Sequence, residues 1–160
     1  MGSQLGYMGA VLKVLARGVA ALTVLAALVA AGPAVGGNGE RRYAAEFEQG
    51  GSITFRLERG DNPRVRDIDI DRIYAACDGG KTAGLQFAIA GSTPVLADRS
   101  FAVRSKDGQG GKAVVRGRFS RNFRRAKGRA RVYGKFLIGD TTFNCDSGKQ
   151  RFVAREPSER

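Results

Sequence analysis

The feature that most restricts this chain is a two-residue period that begins at Tyr43 and recurs almost to its end. Tyr43, Ala45 and Phe47 alternate with Ala44, Glu46 and Glu48, and Ile53, Phe55 and Leu57 alternate with Thr54, Arg56 and Glu58. Successive side chains of an extended strand point to opposite faces, so this spacing sends one face to a core and the other to water. Gln49-Gly50-Gly51 between the two runs predicts a hairpin. The stretch Arg59–Pro63 (RGDNP) is a dense turn signal. Val65, Ile68 and Ile70 follow, then Ile73, Ala75 and Cys77, and the slip of phase between Val65 and Ile68 predicts a bulge.

Downstream, Leu85, Phe87 and Ile89 form a strand that closes at Gly91 to Pro94. Phe101 and Val103 predict a short strand before Asp107–Gly111. Val115, Gly117 and Phe119 alternate with Val114, Arg116 and Arg118, and Ala130, Val132, Gly134 and Phe136 alternate with Arg129, Arg131, Tyr133 and Lys135. Phe143 and Cys145 precede the turn Asp146-Ser147-Gly148, and Phe152 and Ala154 make a last strand. A content of 23 glycines against 4 prolines suits many turns between short strands. No helical period survives after residue 37. Eight or nine short strands at roughly this spacing predict an all-β fold, an antiparallel β-sandwich of jelly-roll type over residues 37–155 with a polar tail at 156–160.

Residues 1–36 read as a secretory signal peptide. Lys13 and Arg17 are the only charges before the apolar run GVAALTVLAALVAA at 18–31, and Gly32, Pro33, Ala34, Val35, Gly36 and Gly37 follow. Small residues at these positions allow cleavage after Ala34 or Gly36. The run falls short of the about 20 apolar residues that span a bilayer, so no stable transmembrane segment is expected after processing. The expected location is secreted or extracytoplasmic, in the cell envelope.

Export changes how Cys77 and Cys145 read. Two cysteines in an oxidising compartment most often pair. The alternatives are two free thiols or a metal pair, the latter needing carboxylates because the chain has 0 histidines. The absence of histidine also excludes serine–histidine and cysteine–histidine nucleophile chemistry. Asp67, Asp69 and Asp71 have a superficial calcium-loop spacing, but Arg72 and Asp78 stand where such a loop needs glycine and glutamate. The Gly108–Gly111 stretch lacks the Gly-Lys-Ser/Thr of a phosphate loop. No metal and no cofactor is therefore expected.

Charge is the sharpest remaining feature. The chain carries +12 overall, with 8 basic and 9 acidic residues in 35–97 but 17 basic and 6 acidic residues in 98–160. Arg116, Arg118, Arg121, Arg124, Arg125, Lys127, Arg129 and Arg131 fall close together, with Lys135 just beyond and Phe119, Phe123 and Tyr133 interleaved. On adjacent strands the outward members form one cationic face, which attracts polyanions by counterion release. The partner so implied is an anionic cell-envelope polymer or glycan, with no sequence-specific nucleic acid. Two plainer readings stand beside it: a solvated hairpin, and neutralisation of the arginines by Asp67, Asp69 and Asp71 from a neighbouring strand. A carbohydrate-active enzyme using surface carboxylates such as Glu46 and Asp69 is the alternative, since glycoside cleavage needs two carboxyls ~5–9.5 Å apart.

The last third carries a recognisable pattern: Gly117-Arg118-Phe119, Ala126-Lys127-Gly128, Cys145-Asp146-Ser147-Gly148 and Phe152-Val153-Ala154. It resembles a group of small exported bacterial proteins of unknown function, over about residues 40–155, although tryptophan is expected where Phe152 stands. The resemblance implies a disulfide-bonded β-sandwich and lends no catalytic residue.

Overall fold

The computed structural model describes residues 39–157. The expected signal peptide at 1–36, with its cleavage positions after Ala34 and Gly36, lies outside the described residues, as does the tail beyond Pro157. Within them each alternating run is a strand: β1 (Arg41–Glu46), β2 (Ser52–Glu58), β3 (Arg64–Cys77), β4 (Lys81–Pro94), β5 (Ser100–Lys106), β6 (Gly111–Phe119), β7 (Arg125–Ile138), β8 (Thr141–Asp146) and β9 (Gln150–Arg155). A single 3-10 turn at Asp78–Gly80 joins β3 to β4.

All pairings are antiparallel, and the strands form one 9-stranded sheet in the order β4-β3-β2-β1-β9-β7-β6-β5, with β8 bridging β3 and β7. The hydrogen-bonded path runs β3–β2–β1–β9–β7–β8 and returns to β3. Short hairpins join successive strands into two meanders, β1–β4 and β5–β7, which β9 knits together. The expected all-β class, antiparallel pairing, strand number and disulfide are all present. Rings from β1, β2, β5, β6 and β9 meet in one core: Tyr43 stacks on Phe55 at 5.2 Å, and Phe55 also touches Phe101, Phe119 and Phe152. Each of these rings is almost wholly buried, which contributes about 1.5–3 kcal/mol apiece.

The phase slip after Val65 is a bulge, as the spacing predicts. Asp67 adopts φ 50°, and the register against β2 shifts by one residue between Arg56↔Arg66 and Thr54↔Asp69. A second bulge at Asp71 and Arg72 (φ 52°) accounts for the three-residue step from Ile70 to Ile73. β4 does not close at Gly91. Gly91 takes φ 92° with no atom near its missing side chain, so it forms a bulge opposite Asp67 and pairing continues to Arg64↔Pro94.

The C-terminal motifs have local explanations. Phe101, Gly117, Gly128 and Phe152 lie in one row across β5, β6, β7 and β9. A Cβ at Gly117 would stand 2.6 Å from the Phe101 ring, and one at Gly128 would strike both the Phe152 ring and the Arg116 carbonyl. The two glycines are therefore the floor on which two core rings lie. Ser147, buried after Cys145, accepts the Val132 N–H at 2.9 Å, and Gly148 turns the chain at φ 64°. Gly128→Ala is expected to cost about 1–3 kcal/mol, because backbone oxygen cannot yield to the new methyl. Gly108→Ala, which meets open space, should be near neutral. Urea unfolding midpoints of the two variants check the contrast.

Cys77 and Cys145 are paired, with S–S 2.00 Å and Cα–Cα 4.0 Å. They face one another in the β3–β8 register, which has only two pairs, Ala76↔Asp146 and Cys77↔Cys145. The bond thus holds the seam through which the sheet closes on itself. No helix among the described residues is long and apolar enough to cross a membrane.

Candidate polyanion-binding face

β6 and β7 bring most of the sequence-predicted cations to one outer face. Inward positions of both strands are small or apolar (Ala113, Val115, Phe119, Ala126, Ala130 and Val132 are buried), so alternation turns their arginines outward. Arg116 lies directly opposite Arg129, and Arg118 opposite Lys127. β9 then adds Arg151 opposite Arg129 and Arg155 opposite Arg125. Arg116, Arg129 and Arg151 consequently form a straight row across three strands. Neighbouring strands are about 4.8 Å apart and same-face residues along a strand about 7 Å apart, so the face is a small lattice of positive charge.

Four sorts of environment divide the eight predicted cations. Arg118 pairs with Asp98, and Arg131 makes a two-pronged contact with Asp146 while lying 4.7 Å over the Tyr133 ring. Arg116, Lys127 and Arg129 are exposed and, among the described residues, have no ion-pair partner. Arg124 and Arg125 stand at the end of the face, where they line a depression of ≈ 980 Å³ with Arg41, Arg42, Arg155, Glu40, Glu156 and Pro157. Both acids there are engaged, Glu156 with Arg41 at 3.1 Å and Glu40 with Arg56 at 3.0 Å. Arg121 belongs to none of these groups: it sits in the turn between β6 and β7 and faces a different cavity.

The acidic stripe does not neutralise this face. β3 is flanked by β2, β4 and β8, away from β6. Asp67 lies beside Arg56 and Arg66, and Asp71 accepts hydrogen bonds from Arg72 and Gln86. Asp67 and Asp71 are thus engaged by arginines and a glutamine of their own side of the sheet, and Asp69 between them is exposed on the same strand. Directly opposed like charges repel, at about 1 kcal/mol per close pair in water, and the β6–β7–β9 row keeps that repulsion.

The interleaved aromatics are spoken for. Phe119 is in the core, Phe123 packs on it at 5.4 Å, and Tyr133 lies between Lys112 and Arg131. Base or sugar stacking on them is not available. Arg42, Arg151 and Arg155 escaped sequence reasoning, because nothing in the alternation of β9 says that it pairs with β7 on one side and β1 on the other. β7 also starts earlier than its apolar phase suggests: Ala126 and Gly128 are its inward residues, too small to register as core.

Asp98 fixes the edge of the face. It accepts hydrogen bonds from the Ser100 hydroxyl and backbone N–H and from Arg118, which hold its carboxyl down at about 2. A depressed carboxyl contributes stability above its unfolded value of about 4 and loses it as pH falls through about 2. Asp98→Asn should therefore be less stable than the parent at pH 6, with the two melting temperatures converging between pH 4 and pH 2. A constant offset at every pH would contradict the assignment.

Glu46 on β1 and Asp69 on β3 are both exposed, and neither lines the arginine-rich depression or the cavity that Arg121 faces. Among the described residues no group of three or more acidic or cysteine side chains comes together in a way that would hold a metal ion. The chain matches no protein-family model, and no curated protein matches it.

Proposed function

We propose that this is an exported, non-enzymatic protein of the cell envelope or extracellular space that associates with an anionic polymer or glycan through the outer face of β6, β7 and β9. The observation that carries the reading is the row Arg116–Arg129–Arg151, three directly opposed arginines with no ion-pair partner among the described residues. Uncompensated like charges on a rigid sheet lower stability when free and favour a counter-anion when bound. The arginine-lined depression at Arg42, Arg124, Arg125 and Arg155 extends the same field to the end of the sheet. Export is supported by the leader-like residues 1–36 and by a disulfide between two buried cysteines.

Retention on immobilised heparin across a sodium chloride series tests the reading. The mature protein should elute at high salt, and a variant with Arg116, Arg129 and Arg151 changed to serine should elute much earlier. Equal elution of the two proteins would remove the face from consideration.

A further inference from the structure

A second cavity, of ≈ 510 Å³, lies where three turns meet at one end of the sheet: Asp61–Pro63 after β2, Pro94–Arg99 after β4, and Arg121 with Phe123 after β6. Its volume is within the range of small-molecule sites, about 300–1,000 Å³. Its walls are of two kinds. Pro63, Pro94, Val95, Leu96 and Phe123 are apolar, and Leu96 is left 59% exposed there. Arg99 and Arg121 supply two guanidinium groups, and neither has an ion-pair partner among the described residues. Asp61 is the one acid in the lining. The Arg99 Nε atom is buried with no hydrogen-bond partner.

The two walls are held in place by strained but well-tied backbone. Arg99 adopts φ 66° and Phe123 φ 55°, the left-handed region that bulky side chains avoid. The Arg99 N–H donates to the Leu96 carbonyl at 2.7 Å, and its carbonyl accepts from Phe119 N–H at 3.0 Å. Phe123 donates its N–H to Ser120, while its carbonyl accepts the Tyr43 hydroxyl. Burial raises the pKa of that phenol, which keeps it a donor. Surroundings that force two large residues into this conformation on facing turns fix where their side chains stand.

We infer that this cavity binds a small organic anion with an apolar body, the anionic oxygens at Arg99 and Arg121 and the apolar part along Leu96, Val95 and the prolines. A planar carboxylate suits a guanidinium fork, and an unpaired, partly buried guanidinium lacks only such an acceptor. A medium-chain monocarboxylate is the simplest member of the class. The site is separate from the β6–β7–β9 row and does not depend on polyanion binding.

Titration calorimetry of the mature protein with decanoate, below the concentration at which decanoate aggregates, tests this. Saturable one-to-one binding is expected, with decanol and acetate each roughly tenfold weaker or worse, since each removes one half of the recognition. Arg121→Gln changes an exposed residue, and it should weaken decanoate by roughly tenfold. Arg99→Gln should do the same, with circular dichroism and melting temperature confirming that it folds. The variant lacking Arg116, Arg129 and Arg151 should bind decanoate normally. No saturable binding, equal affinity for decanol, or undiminished binding by Arg121→Gln would each overturn the inference.

Discussion

Changing Cys77 and Cys145 together to alanine is expected to lower the stability of the protein by about 4 kcal/mol, the chain-entropy value for releasing a loop of 68 residues. In a domain of this size that corresponds to a fall in melting temperature of very roughly 12–20 °C. The structure gives a reason to expect the full effect. β3 and β8 share only two register pairs, one of them the cysteine pair itself, and beside them the seam carries only exposed contacts, Asn144 donating to Asp78 and Lys81 over the Phe143 ring. Both cysteines are buried, and opening the seam would expose the β8 hairpin along with Phe143, which packs on the core. Reduction of the parent protein should reproduce the melting temperature of the double variant. A loss below ~1 kcal/mol would mean that the unfolded chain is already constrained, or that the seam is held by contacts other than the bond.

Much of this fold is legible because its core is built from residues that declare themselves. Tyr43, Phe55, Leu57, Ile70, Phe119 and Phe152 are large, apolar and in phase, and all are buried. The bulge after Val65 was visible as a missed beat in the same pattern. What alternation cannot carry is partnership between distant strands. That β9 lies between β1 and β7, and that β8 bridges β3 to β7, are consequences of global closure with no local signature. The candidate site fails to show itself for the same reason. Arg116 and Arg129 are near enough in sequence to suggest one hairpin face, but Arg151 joins them only through the β7–β9 register. Arg121 reads like the others and yet turns to a separate cavity, because one turn carries it around the end of the sheet. Small inward residues hide strand starts too: Ala126 and Gly128 make the beginning of β7 look like loop, although Gly128 is where the Phe152 ring rests.

The cationic face gives the other large expected effect. Each arginine that neutralises a phosphate of a duplex adds about 0.9 to the slope of log affinity against log salt. Removing Arg116, Arg129 and Arg151 should therefore flatten that slope by roughly 2–3 and weaken binding tenfold or more at low salt. Net charge alone does not explain such a result if a matched control behaves differently. Arg59, Arg66 and Arg72 lie on β3 or its preceding turn, and of these Arg66 and Arg72 are beside acids. Changing them to serine, serine and asparagine removes the same charge from the opposite side of the order of strands. Asparagine is chosen at 72 because it tolerates the φ of 52° found there.

The decisive measurement is a salt titration of random-sequence duplex DNA, used purely as a calibrated polyanion, against the parent and these two triple variants. If the β6–β7–β9 row is the binding surface, the variant lacking Arg116, Arg129 and Arg151 loses roughly 2–3 in slope while the control stays within about 1 of the parent. Equal losses in the two variants, or none in either, would contradict a localised anion-binding face.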